Sequence, residues 1–221
     1  QFIWDMRYSP GVMLVAEKSR HSGPMAVPGN YEVRLKVSGT TWRQEVEIRK
    51  DPRITVTQLE LQDQFKLAIR IRDKLSAINL AVNQLRSITR QINEWEARAK
   101  GLGGEHAITE FGRELKQDLK SIEDELVEPR SAGALNRLLF PVKLFFKLDA
   151  LTSVVNSAES APPQQAFEVY GDLVEQIDCQ LERFDKVKSG RLAEFCSLLG
   201  EHEVPAIVPD SEVEPLSRTR A

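Results

Sequence analysis

From Thr57 to about residue 100 the chain repeats apolar residues at a spacing suited to one long amphipathic helix. Leu61, Ala68, Leu75 and Val82 lie seven apart, as do Ile71, Ile78, Leu85 and Ile92. Interleaved by threes and fours, these residues make one continuous seam on a helix of about forty residues, roughly 60 Å long at 1.5 Å per residue. Such a seam needs cover, either from helices of the same chain or from an intermolecular coiled coil. Three further amphipathic stretches favour the first. Gly101-Leu102-Gly103-Gly104 ends the long helix, and Ile108, Phe111, Leu115, Leu119, Ile122 and Leu126 mark a second, stopped by Pro129 and Gly133. A third is expected from near Pro141, a residue suited to the first helical turn, with Leu144, Leu148, Leu151 and Val155 inward. Ala161-Pro162-Pro163 interrupts it, and a fourth carries Phe167, Tyr170, Leu173, Ile177, Leu181, Phe184, Leu192, Phe195 and Leu199. Short connections predict an antiparallel, up-down-up-down four-helix bundle over residues 57–203. Residues 204–221, with three prolines and many charges, are expected to be extended or disordered.

The period changes upstream. Tyr31, Val33, Leu35 and Val37 alternate with Glu32, Arg34 and Lys36, which is the pattern of a half-buried strand. Ser38-Gly39-Thr40 supplies a turn, and Trp42, Val46 and Ile48 alternate with charges on the return strand. Phe2, Trp4 and Met6 would share one face of an earlier strand, and Asp51-Pro52 closes the segment. Residues 1–53 therefore read as a partial β module with Trp4, Tyr31 and Trp42 as its packing residues; with three or four strands of the roughly seven in a sandwich, it should leave one of these aromatics more exposed than a core position. The fold class expected from this order is α+β.

Composition excludes more than it assigns. With 30 basic and 33 acidic residues, no net field favours nucleic acid or an anionic membrane. The most apolar run, Leu138–Phe146, is broken by Pro141 and Lys143 and falls short of the ~18 residues of a membrane span. Cys179 and Cys196 fall on one helix about 25 Å apart, too far for a disulfide, and read as small buried hydrophobes.

Candidate chemistry is sparse. His21, His106 and His202 have no second ligand at metal spacing. The glycines at 101–104 lack the preceding strand and the Lys-Ser/Thr of a phosphate loop, so they read as a helix stop. Glu110, Glu114, Asp118, Glu123, Asp124 and Glu125 alternate with Arg113, Lys116 and Lys120 at helical spacings, which describes a solvated, ion-paired face rather than an acid–base pair. The basic residues are dispersed, not striped with aromatics. No catalytic, cofactor-binding or metal-binding residue is assigned.

Several strings in order carry a resemblance. They are Phe2-Ile3-Trp4-Asp5-Met6-Arg7-Tyr8, Gly23-Pro24-Met25-Ala26-Val27-Pro28-Gly29-Asn30-Tyr31-Glu32-Val33-Arg34-Leu35, Asp51-Pro52-Arg53, Pro162–Tyr170 and Val204–Val208. Together they resemble the C-terminal region of bacterial BNR (Asp-box), sortilin-like β-propeller proteins, often labelled glycosyl hydrolases. The resemblance implies a partial immunoglobulin-like β-sandwich over residues 1–53, followed by the helical part. It further implies a non-catalytic accessory module of a larger secreted, periplasmic or envelope protein, with an upstream propeller domain of the same chain as partner. Two other readings stand beside it: a fragment supporting a glycan-cleaving site located upstream, and a free-standing helical scaffold that binds another protein through its bundle. Asp boxes do not occur here, so no propeller residue carries over.

Overall fold

A computed structural model describes residues 3–15, 22–99, 105–128 and 140–201. The tail over 204–221, His21, His202 and the glycines at 101–104 lie outside the described residues.

Two strands, β1 (Gly29–Val37) and β2 (Thr40–Ile48), pair antiparallel in register from Gly29↔Ile48 to Val37↔Thr40. The connection is Ser38-Gly39, with φ of +48° and +84°. Two positive φ values in a two-residue loop match the right-handed twist of the flanking strands, and glycine takes the second without cost. A capping box then starts α1 (Gln58–Arg98): the Thr57 side chain accepts from the Glu60 N–H, and Glu60 accepts from the Thr57 N–H at 2.7 Å. The other helices are α2 (Glu105–Leu126), α3 (Leu144–Val155) and α4 (Gln164–Val187), which passes through a π-helical turn (Lys188–Leu192) into α5 (Ala193–Glu201). Pro163 stands at the start of α4, where its missing N–H costs nothing.

Contacts along α1 give the arrangement. Arg86 pairs with Glu123 at 2.8 Å, and Lys116 donates to Asn93 at 2.9 Å and to Glu96 at 2.6 Å. The numbers fall on α2 as they rise on α1, so α2 runs antiparallel along its C-terminal half. Gln64 donates to the carbonyls of Val155 and Ala158, both at 2.6 Å, so α3 lies at the N-terminal half. Both point the same way, with Glu125 of α2 only 3.6 Å from Lys143 at the start of α3. The run α4–α5 spans both: the Tyr170 hydroxyl donates to the Arg70 carbonyl, Lys74 pairs with Asp178, and Arg191 pairs with Glu114. It is therefore parallel to α1. Leu67, Ile71, Ile78, Val82, Leu85, Ile88 and Ile92 of α1 are wholly buried in the resulting core, with Trp95 beside them.

Two expectations are corrected. The immunoglobulin-like sandwich is not there: among the described residues the sheet is a single two-stranded hairpin, with one isolated bridge, Arg7↔Met25. Met6 has φ +56°, which breaks the extended run that would have made an earlier strand through Trp4 and Met6; Phe2 lies outside the described residues. Nor do the four helices go up, down, up and down. α2 and α3 are two segments of one rod, and they touch each other least of the neighbouring helices. The reason is length. A helix of 41 residues can be covered only by partners laid end to end when they have 22 and 12 residues. The architecture is a long three-rod helical bundle with a hairpin attached.

Candidate interaction surfaces

The hairpin is strongly two-faced. Directly opposed residues share a face, so Tyr31/Val46, Val33/Gln44, Leu35/Trp42 and Val37/Thr40 form one side. Glu32, Arg34, Lys36, Arg43, Glu45 and Glu47 form the other. The charged side satisfies itself, because Glu32 pairs with Arg34 and, at 3.5 Å, with Arg43. Among the described residues the apolar side has no cover: Val33, Leu35, Val37, Trp42 and Val46 are 44, 59, 48, 53 and 40% exposed. Trp42 is thus not a core residue. At the root the packing is firmer. Trp4 meets Tyr31 edge-on at 5.7 Å, and the Tyr31 hydroxyl donates to the Val27 carbonyl at 2.6 Å. Burial, followed by the neighbouring Tyr8, holds the Tyr31 phenol above its ordinary pKa. Tyr8 packs on Phe65 of α1 at 4.9 Å, tying the root to the bundle.

A second surface was not legible in the apolar pattern. Residues 9–15 run extended along α1, held by a polar stripe: Arg72, Ser76, Asn79 and Asn83 at i, i+4, i+7 and i+11. Arg72 donates to the Ser9 carbonyl at 3.4 Å, and the Val12 N–H donates to Ser76 Oγ at 3.0 Å. Asn79 Nδ2 donates to the Val12 carbonyl at 2.8 Å. Asn83 serves both ways, giving to the Met13 carbonyl at 3.0 Å and accepting from the Val15 N–H at 3.1 Å. All five bonds go to backbone. Side chains count at two positions. Leu14 joins the helical core, and a Cβ at Gly11 would collide with Ser76 Oγ and crowd the Arg72 carbonyl. Hydrogen bonds at ~1 kcal/mol each and one buried leucine at ~2–3 kcal/mol are of the same order as ordering this many residues at ~1–2 kcal/mol each. The segment is clasped, but only marginally. The fit also leaves gaps. Asn79 Oδ1, on a residue 6% exposed, and Thr152 Oγ1 of α3 are buried without a partner. Both residues border a cavity of about 380 Å³ between the segment, α1 and α3.

The residues weighed for chemistry are scattered. His106 is exposed and lies 3.7 Å from Glu110 on its own helix. No group of three metal-ligating side chains occurs among the described residues. Five of the six α2 carboxylates weighed for chemistry stay about half exposed and ion-paired, and one is buried. Glu123 is buried against Arg86, while Glu114 and Asp118 hold Arg191, whose guanidinium also lies 4.8 Å from the Phe111 ring. They clip one rod to another. Cys179 is exposed, contrary to expectation, at a cleft of about 470 Å³ where α2 ends and α3 begins; Cys196 is half-buried. Lys143, Lys147, Glu125 and Glu175 line that cleft with it, and no histidine does. No described helix is long and apolar enough to cross a membrane.

No protein-family model, curated protein or solved structure matches this chain.

Proposed function

We propose that this chain is a non-catalytic interaction module: a helical rod that presents a β-hairpin to another polypeptide. The observation that carries this reading is the uncovered apolar face of the hairpin, with five large side chains at least 40% exposed on one side and a self-neutralised charged face on the other. A contiguous apolar patch of a few hundred Å² is about the largest that a typical monomer exposes, and such patches are often functional. Its size restricts the partner. Two strands of nine residues offer a footprint of roughly 30 by 10 Å, about 300 Å². A stable association buries about 800 Å² per partner. Two hairpins meeting only face to face would be weakly held, so a lasting partner must also engage the hairpin's free edges or its root.

The resemblance of residues 2–8, 23–35, 51–53, 162–170 and 204–208 to the C-terminal region of sortilin-like, BNR-type proteins supports a propeller as that partner. It also supports a secreted or envelope setting. A further protein bound through the bundle is the second partner in this reading.

The test uses an environment-sensitive dye and calorimetry on the whole chain. The wild type should bind an apolar dye such as anilinonaphthalene sulfonate in its native state, and Leu35→Ser/Trp42→Ser should lose that binding while melting within a few degrees of the wild type. Equal dye binding by both proteins would remove the hairpin face as the contact surface. Turnover of chromogenic glycosides, esters or phosphates, abolished by one point substitution, would overturn the non-catalytic reading.

A further inference from the structure

The clasp on α1 reads backbone rather than sequence, and this has a consequence for how two copies can meet. Every bond that Arg72, Ser76, Asn79 and Asn83 make to the segment ends on one of its main-chain atoms, and the two side-chain requirements are glycine at 11 and an aliphatic residue at 14. The segment known to meet both requirements is residues 9–15 themselves, and every copy carries it. Its root is firm: the Tyr8 N–H donates to the Pro24 carbonyl at 2.9 Å, and the Ala26 N–H donates to the Met6 carbonyl at 2.7 Å. Beyond that root, Leu14 alone of the segment is buried, Val15 is 76% exposed, and Asn79 Oδ1 goes unmatched beside the open cavity. A loosely seated segment on a fixed root can leave its groove without disturbing the bundle.

We propose that the clasp is exchangeable: the α1 groove of one copy takes residues 9–15 of a second copy, joining two chains by trading an identical segment. The contacts that Val12 to Val15 make in cis can be remade in trans, and this makes exchange a low-cost route to a dimer. The residues that receive the segment are Arg72, Ser76, Asn79 and Asn83, and the group that seals it is Leu14. This proposal is independent of the hairpin face.

The test removes the hairpin first. In a Leu35→Ser/Trp42→Ser background, light and ¹⁵N-labelled full-length chains are mixed at high concentration, warmed below the melting point, cooled, and weighed by native mass spectrometry. Mixed-mass dimers are expected. Adding Leu14→Asp to both chains should lower the dimer fraction roughly tenfold or more, the weight of one buried leucine. A complementation arm pairs a chain with Leu14→Asp, whose groove is intact, with a chain carrying Asn79→Ala/Asn83→Ala, whose segment is intact. Each alone should stay monomeric, and the mixture should give a heterodimer. If circular dichroism shows Leu14→Asp unfolded, Leu14→Ser takes its place. Absence of mixed-mass dimers from the parent chains, or dimers that persist unchanged with the Leu14 substitution, would overturn the proposal.

Discussion

Thr57 and Glu60 fix where the long helix starts, and they do so through charge as well as geometry. Glu60 accepts from the Thr57 N–H and hydroxyl, both at 2.7 Å, and these bonds, the backbone one first, hold its carboxyl below the usual carboxylate range. Asp51, six residues before the cap, is lowered in the same sense by Arg53. A depressed pKa means that the folded state prefers the ionised form. The stabilisation is therefore present above the unfolded value, ~4, and is lost as pH falls through the lower folded value. Glu60→Gln should lower the melting temperature at pH 7, with the gap narrowing as acid protonates the carboxyl; a gap that does not vary with pH would show that the charge contributes nothing. Thr57→Ala should cost about 1 kcal/mol in denaturant unfolding, because it removes the cap acceptor. Inside the bundle the scale changes. Val82 is wholly buried, so Val82→Asp should cost at least ~3 kcal/mol, whereas Glu114→Ala, which leaves Arg191 with Asp118, should cost under about 0.5 kcal/mol. Equal losses, read from urea midpoints, would mean that the seam has been placed on the wrong face.

Among the elements, the hairpin and the clasped segment show opposite kinds of legibility. Alternation in Tyr31–Val37 and Trp42–Ile48 gave the strands and their faces, because a period of two survives in the sequence whatever lies opposite. What the alternation could not give was cover: the side that reads as half-buried is wet among the described residues. The segment at 9–15 was invisible for another reason. It is held by Ser76, Asn79 and Asn83, polar residues spaced along a helix that otherwise reads only through its apolar seam, and an Asn pair on a helix surface usually means solvent. A clue existed in the Pro10-Gly11 step, where glycine is demanded by close approach to Ser76 rather than by a turn. Gly11→Val should therefore expel the segment while leaving the bundle folded. Amide exchange at Val12 and Val15 would then rise toward that of an open chain, with α1 protection unchanged. Protection retained at both amides would show that the clasp does not depend on this contact.

At the scale of the whole molecule, the three rods make an elongated body. A compact domain of 221 residues would have a radius of gyration of about 17 Å, while a helix of 41 residues alone is roughly 60 Å long. Small-angle scattering should give a radius well above 17 Å and a largest dimension of at least about 60 Å; a value close to 17 Å for the monomer would refute the end-to-end placement of α2 and α3. Elongation suits a module that holds its hairpin away from the far end of the rod, where Trp95, Phe111 and Phe195 close the core.

The amino-acid sequence by itself determined the helices, their inward faces and the hairpin, since each depends on a local period that neighbouring residues set together. Leu61 to Ile92, Ile108 to Leu126 and Tyr170 to Leu199 name their own buried sides. Only the tertiary structure decided that α2 and α3 share one rod and that residues 9–15 lie along α1. These depend on which lengths can cover which, and on pairings some 64 to 70 residues apart in the clasp. A periodic pattern states that a face must be buried; it carries no term for what buries it.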